Sequence, residues 1–119
     1  MILADTSIWI DHFKTPNLLV SRAIIDERLY MHEFVVGELS LGSLRQRPKT
    51  LRDLAKFADA PIARHAQVLD LIERAPLHGR GLGYVDAHLL ASCLLAGNCK
   101  LLTRDRRLRE AAEQLGIAA

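Results

Sequence analysis

Short apolar segments alternate along this chain with stretches of helical spacing, and that alternation constrains the fold more than any other feature. Met1–Ala4 is apolar and ends abruptly at Asp5. Leu29–His32 and Cys99–Leu102 have the same character. Such short runs suit buried strands, and a core segment at the first residue must be pinned into a sheet. Between the runs, apolar residues recur at three- and four-residue intervals. The expected helices are Thr6 or Ser7 to Lys14, Asn17 to Arg28, Glu33 to Arg45, Thr50 to Ala58, Gln67 to Arg74, Val85 to Ala96 and Arg104 to Leu115. Gly97 and Gly116 stop the last two, and Ile117 opens one more short strand. Strands separated by helices predict an α/β sandwich around a small, mostly parallel sheet. The 119 residues carry no linker, repeat or low-complexity tract. One domain spanning 1–119 is expected.

Composition removes several function classes. Half of the residues are hydrophobic and a quarter charged, an ordinary globular balance rather than a disordered one. Sixteen basic residues against fourteen acidic ones leave +2, too mild to demand a nucleic-acid partner by charge alone. Two cysteines, Cys93 and Cys99, exclude a disulfide-rich scaffold and match no common zinc spacing. They read as small core residues. The longest apolar run, Leu89 to Gly97, is broken by Ser92 and falls short of a membrane span. Without a basic leader at the N-terminus, a cytoplasmic location is the expectation.

Four acids occupy costly positions. Asp5 follows the first strand and Asp105 lies just past Cys99–Leu102. The carboxyl ends of strands are where open α/β sheets gather ligands. Glu38 shares a helical face with Phe34, Val35 and Leu41, and Asp86 heads a stripe containing Leu89, Leu90 and Cys93. Both are expected to face inward, and an unpartnered buried carboxylate is expensive. Each acid alone has a plainer explanation. Asp5 and Asp105 can cap helices, Asp86 can answer a helix dipole, and Glu38 can pair with an arginine. Converging on one point, four like charges need a cation. A hard divalent ion such as Mg²⁺ fits an all-oxygen set, and the absence of His or Cys at these positions argues against zinc.

The segments Ile2-Leu3-Ala4-Asp5-Thr6-Ser7, Val36-Gly37-Glu38-Leu39, Tyr84-Val85-Asp86-Ala87-His88 and Leu101-Leu102-Thr103-Arg104-Asp105 occur in that order. Together they resemble the PIN-domain family, and the small size is similar to the VapC-type toxins of toxin–antitoxin pairs. The resemblance runs from Met1 to about Ile117. It implies a three-layer α/β/α sandwich with a small parallel sheet, and a Mg²⁺- or Mn²⁺-dependent endoribonuclease activity. By it, Asp5, Glu38, Asp86 and Asp105 match the family's acidic cluster, and Thr103 matches its small hydroxyl residue. It also implies an RNA substrate, a cognate antitoxin whose tail lies across the acidic groove, and a homodimer or higher toxin–antitoxin assembly.

The expected roles follow from metal-assisted hydrolysis of an RNA phosphodiester. Asp5, Asp86 and Asp105 hold metal; Glu38 binds through water or deprotonates the nucleophile. Thr6 and Thr103 fix a carboxylate or phosphate oxygen. Arg104, Arg106 and Arg107 flank the last motif and are candidates for the RNA backbone, against a solvated helix face. Trp9, Ile10 and Phe13 are expected to pack in the core or to serve an interface, with the core as the default. Gly79, Gly81 and Gly83 form a mobile loop without phosphate-loop context. Rival readings are a metal-independent ribonuclease using its histidines, a phospho-accepting receiver domain, a non-toxin RNA-processing nuclease of the same fold, and a catalytically silent RNA- or protein-binding module. The receiver reading fits poorly, because only Asp5 follows the first strand and Lys100 precedes Leu101-Leu102-Thr103 instead of following it.

Overall fold

A computed structural model describes residues 1–119. In chain order the elements are β1 (Ile2–Ala4), α1 (Thr6–Lys14), α2 (Leu18–Ile25), β2 (Leu29–Met31), α3 (Glu33–Ser40), α4 (Arg47–Leu54), β3 (Ala58–Asp59), α5 (His65–Arg74), α6 (Tyr84–Ala96), β4 (Lys100–Leu102) and α7 (Arg106–Gln114). The strands form one sheet in the order β3-β2-β1-β4, and every pairing is parallel. Leu3 lies opposite both Tyr30 and Leu101. Parallel neighbours need crossover helices, and right-handed crossovers reverse side when the chain turns from β3 back to β4. That reversal puts helices on both faces, as an α/β sandwich requires. It also places the switch in strand order between β1 and β4, whose carboxyl ends lead to Asp5 and Thr103.

Local chemistry sets the helix ends. Asn17 caps α2 by accepting from the backbone N–H groups of Leu19 and Val20 at 2.9 and 3.1 Å. Gly97 closes α6 in the left-handed region, φ +76°, with its N–H returning to the carbonyl of Cys93. The α6 helix is the spine of the core. Ala87 through Cys93 are all buried, and Leu90 and Cys93 are fully so. Leu3, Val35, Val68, Leu101 and Leu108 pack into the same cluster from five other elements.

The structure corrects several boundaries. The third helix ends at Ser40 rather than Arg45. Leu41 is 90% exposed, so its apolar character does not extend the helix inward. The fourth helix begins at Arg47, because Pro48 is accepted in a first turn, and it ends at Leu54. Ala58 and Asp59, expected at the end of that helix, form the edge strand β3 against Tyr30 and Met31. Two exposed residues carry no readable strand pattern. Ile117 lies beside an isolated parallel bridge between Leu101 and Ala118 rather than a strand of its own.

Three burial expectations also change. Ile10 and Phe13 are each 43% exposed, while Trp9 alone of that trio is buried. Glu38 is exposed, because α3 turns Val35 and Leu39 to the core and leaves Phe34 half-buried and Leu41 in solvent. His88 is buried although it leaves the Asp86 stripe, since α6 is enclosed almost all round in that stretch.

Candidate active site

Asp5 stands one residue past β1 and is 6% exposed. It caps α1: its Oδ1 accepts from the backbone N–H of Ile8 at 3.0 Å and from the Ser7 hydroxyl at 2.7 Å. Its Oδ2 accepts from the Thr103 hydroxyl at 2.5 Å. Thr103 itself is buried just past β4, and its Oγ1 accepts the backbone N–H of Asp105 at 3.0 Å. One hydroxyl thus ties the two strand-end acids together. Asp105 caps α7 through Oδ1, which accepts from Arg107 and Leu108 backbone N–H groups at 2.9 and 3.2 Å. Helix capping therefore accounts for both residues, and it leaves one oxygen of Asp105 free.

Glu38 reaches the same end of the sheet from α3, where its Oε1 accepts from the Thr6 hydroxyl at 2.6 Å. Asp86 lies in the first turn of α6, and its Oδ2 accepts the backbone N–H of Gly83 at 2.9 Å. Its carboxyl pKa is raised. Burial is the largest cause, partly opposed by the Gly83 hydrogen bond, and the negative charges of Asp105, Asp5 and Glu38 raise it further. All three other acids therefore act on Asp86 at close enough range to disfavour its ionisation.

No Lys or Arg makes an ion pair with Asp5, Glu38 or Asp86. Only Asp105 has a cation nearby, the Arg107 guanidinium at 4.0 Å. An all-oxygen donor set with unbalanced negative charge has the chemistry that hard divalent ions take. The side chains are not closed into a cage: no three Asp, Glu, His or Cys groups are arranged tightly enough to enclose a metal. Mg²⁺ tolerates such a site, because it keeps several waters and needs few protein ligands.

The arginines divide. Arg104 pairs with Asp11 at 3.2 Å and Arg106 with Glu110 at 3.0 Å, both at the surface. Arg107 packs against Gly81, where a Cβ would overlap its guanidinium. Gly81 has φ +75°, so its missing side chain serves both backbone and packing. Arg80 adds a second tie from this loop, donating to Gln114 at 2.6 Å. The loop expected to be mobile is docked on α7 at these two points.

An aromatic row that runs between α3 and α6 was not legible in the sequence. His32, fully buried, caps α3 by accepting from the backbone N–H of Phe34 at 3.0 Å. Burial, then the proximity of His88, lowers its pKa to about 4. Phe34, His88 and Tyr84 continue the row with ring centroids 4.6 and 4.7 Å apart. The signal was the pairing of His32 with the end of the second strand, a capping position open to any acceptor side chain.

The PIN domain family matches residues 2–114. Two proteins called ribonuclease VapC32, from Mycobacterium tuberculosis strains CDC 1551 / Oshkosh and ATCC 25618 / H37Rv, are each 43% identical over 118 residues. The alignments span 99% of this chain and 95% of each relative.

Proposed function

The chain belongs to the PIN-domain family, and from that premise we propose that it is a divalent-metal-dependent endoribonuclease and the toxin of a toxin–antitoxin pair. The observation that carries this reading is electrostatic. Asp86 is repelled by Asp5, Glu38 and Asp105 at once, and no side-chain cation balances Asp5, Glu38 or Asp86. The name ribonuclease on relatives of nearly equal length supports the same activity.

In this reading Asp5, Asp86 and Asp105 hold the ion, Mg²⁺ or Mn²⁺. When bound, it supplies charge neutralisation at the scissile phosphate and a more acidic water. Thr103 holds Asp5 in one orientation, as a hydrogen-bond partner of a ligand does. Thr6 holds Glu38 through Oε1, and the other oxygen is available to orient the attacking water and accept its proton. Arg107 is placed to meet an RNA phosphate beside Asp105; Arg104 and Arg106 must leave their surface partners to do so. Residues 1–119 act as one domain in the cytoplasm, and no helix is long and apolar enough to cross a membrane. A cognate antitoxin covers the acidic groove with its tail, whose Arg or Lys replaces the ion's charge. The assembly is a homodimer or a larger toxin–antitoxin complex.

The test is cleavage of RNA by the purified chain with Mg²⁺ or Mn²⁺ and with EDTA. Activity is expected to need the metal and to be lost in Asp5→Asn and in Asp86→Asn. Undiminished cleavage in EDTA, or full activity in Asp5→Asn, overturns the reading. One observation favours a second reading, a catalytically silent RNA- or protein-binding module: no three potential ligands are grouped tightly. Single-turnover assays with Mn²⁺ separate the two, since a silent module releases no product.

A further inference from the structure

We propose that the cleft running from Glu38 along α1 is a nucleotide subsite, taking one unstacked nucleotide of the RNA beside the scissile bond. The inference rests on the ribonuclease reading above. The cleft has a volume of about 650 Å³ and is bounded by α1, α3 and the segment leading into α4. Sites for small organic molecules occupy the same range, ~300–1,000 Å³. Its floor is Ile10 and Phe13, the two apolar side chains that α1 leaves 43% exposed. Residues 6, 10, 13 and 14 share one face of that helix. Thr6, which bonds Glu38, is therefore in line with the floor, and Glu38 belongs to both the cleft and the acidic site.

The lining selects the occupant. Lys14 and Arg45 are both in the wall, and neither makes an ion pair. Unpaired cations beside a cluster of acids are where a polyanion keeps its backbone once its scissile phosphate sits at the metal. Phe13 is a partly exposed aromatic side chain in the lining, and base–aromatic stacking accepts any base. Gln46, whose amide makes no hydrogen bond within the protein, offers donor and acceptor to a base edge.

Trp9 is the only tryptophan, and its ring centroid lies 5.9 Å from that of Phe13, so its emission reports on the floor. The experiment titrates the full chain with AMP, GMP, CMP and UMP in EDTA, where the acids repel phosphate. Trp9 emission and backbone amide shifts are followed. A saturable response to at least one nucleotide is expected, with shifts at residues 10–14 and 42–46. It should weaken with salt and be lost in Lys14→Gln and in Phe13→Leu. Both variants should also raise KM for RNA about tenfold with kcat within about twofold. No saturable response at millimolar nucleotide overturns the subsite, as do shifts confined to Asp5, Asp86 and Asp105. A response to a Leu- and Glu-rich amphipathic peptide with none to nucleotides overturns it in favour of a protein partner. Nucleotide binding here in a chain that never cuts RNA supports the subsite and sinks the ribonuclease reading. Metal-dependent cleavage with KM unchanged in both variants does the reverse.

Discussion

Replacing Thr103 by Val removes one hydroxyl and keeps the shape of the side chain. That hydroxyl donates to Asp5 Oδ2 and accepts from the backbone N–H of Asp105, and it is 3% exposed. A hydrogen bond to a charged group contributes about 1.5–3 kcal/mol, and the Asp105 N–H loses its acceptor as well. The expected cost is therefore about 3 kcal/mol. With an unfolding entropy near 2.1 cal/mol/K per residue, a chain of this length should lose roughly 12 °C in Tm. Thr103→Ser keeps both bonds and should lose no more than about 4 °C. Activity should fall about 10–100-fold in the Val variant, the usual effect of removing the group that orients a ligand. Calorimetry and initial rates on RNA read the two effects. In an Asp5→Asn background the stability cost of Thr103→Val should shrink, because the charged acceptor is gone. A Val variant with Tm within about 2 °C of wild type and an unchanged rate refutes the argument that this hydroxyl positions Asp5.

Other outcomes follow from the same contacts. Asp86→Asn keeps the Gly83 hydrogen bond while removing the charge that burial and three acids disfavour. The raised folded pKa means native Asp86 costs stability above it, and the cost disappears as pH falls below the unfolded value. Metal-free Asp86→Asn should therefore be more stable than wild type at pH 7 and equal to it below pH ~3, checked by urea melts across pH. His32 has its folded pKa lowered from 6.5 to about 4, so its neutral form is favoured by folding. Its contribution is complete above pH ~6.5 and lost as pH falls toward 4, about 3 kcal/mol in all. His32→Asn keeps a capping acceptor, and its acid limb should be flatter in the same melts. Lys49→Ala breaks only an exposed pair with Asp53 and should shift Tm by no more than ~4 °C, whereas Leu90→Ala in the closed core should cost about 2–5 kcal/mol.

The sequence by itself determined the class of fold and the ends of the elements that carry the acids. Short apolar runs interrupted by helical spacing leave few architectures, and Asp5 and Asp105 announce themselves because a charge follows a buried strand. Asn17 and Gly97 were readable for the same reason: their chemistry acts within one turn of chain. Only the tertiary structure decided what depends on distant neighbours. Ala58–Asp59 becomes a strand because β2 offers it an edge, not because of its own residues. Glu38 faces outward because the core takes Val35 and Leu39. The docking of Gly81 on Arg107, the exposure of Phe13 and the single hydroxyl joining Asp5 to Asp105 all link residues far apart in the chain. Periodicity states which side of a helix is apolar; it does not state which part of that side another element will cover.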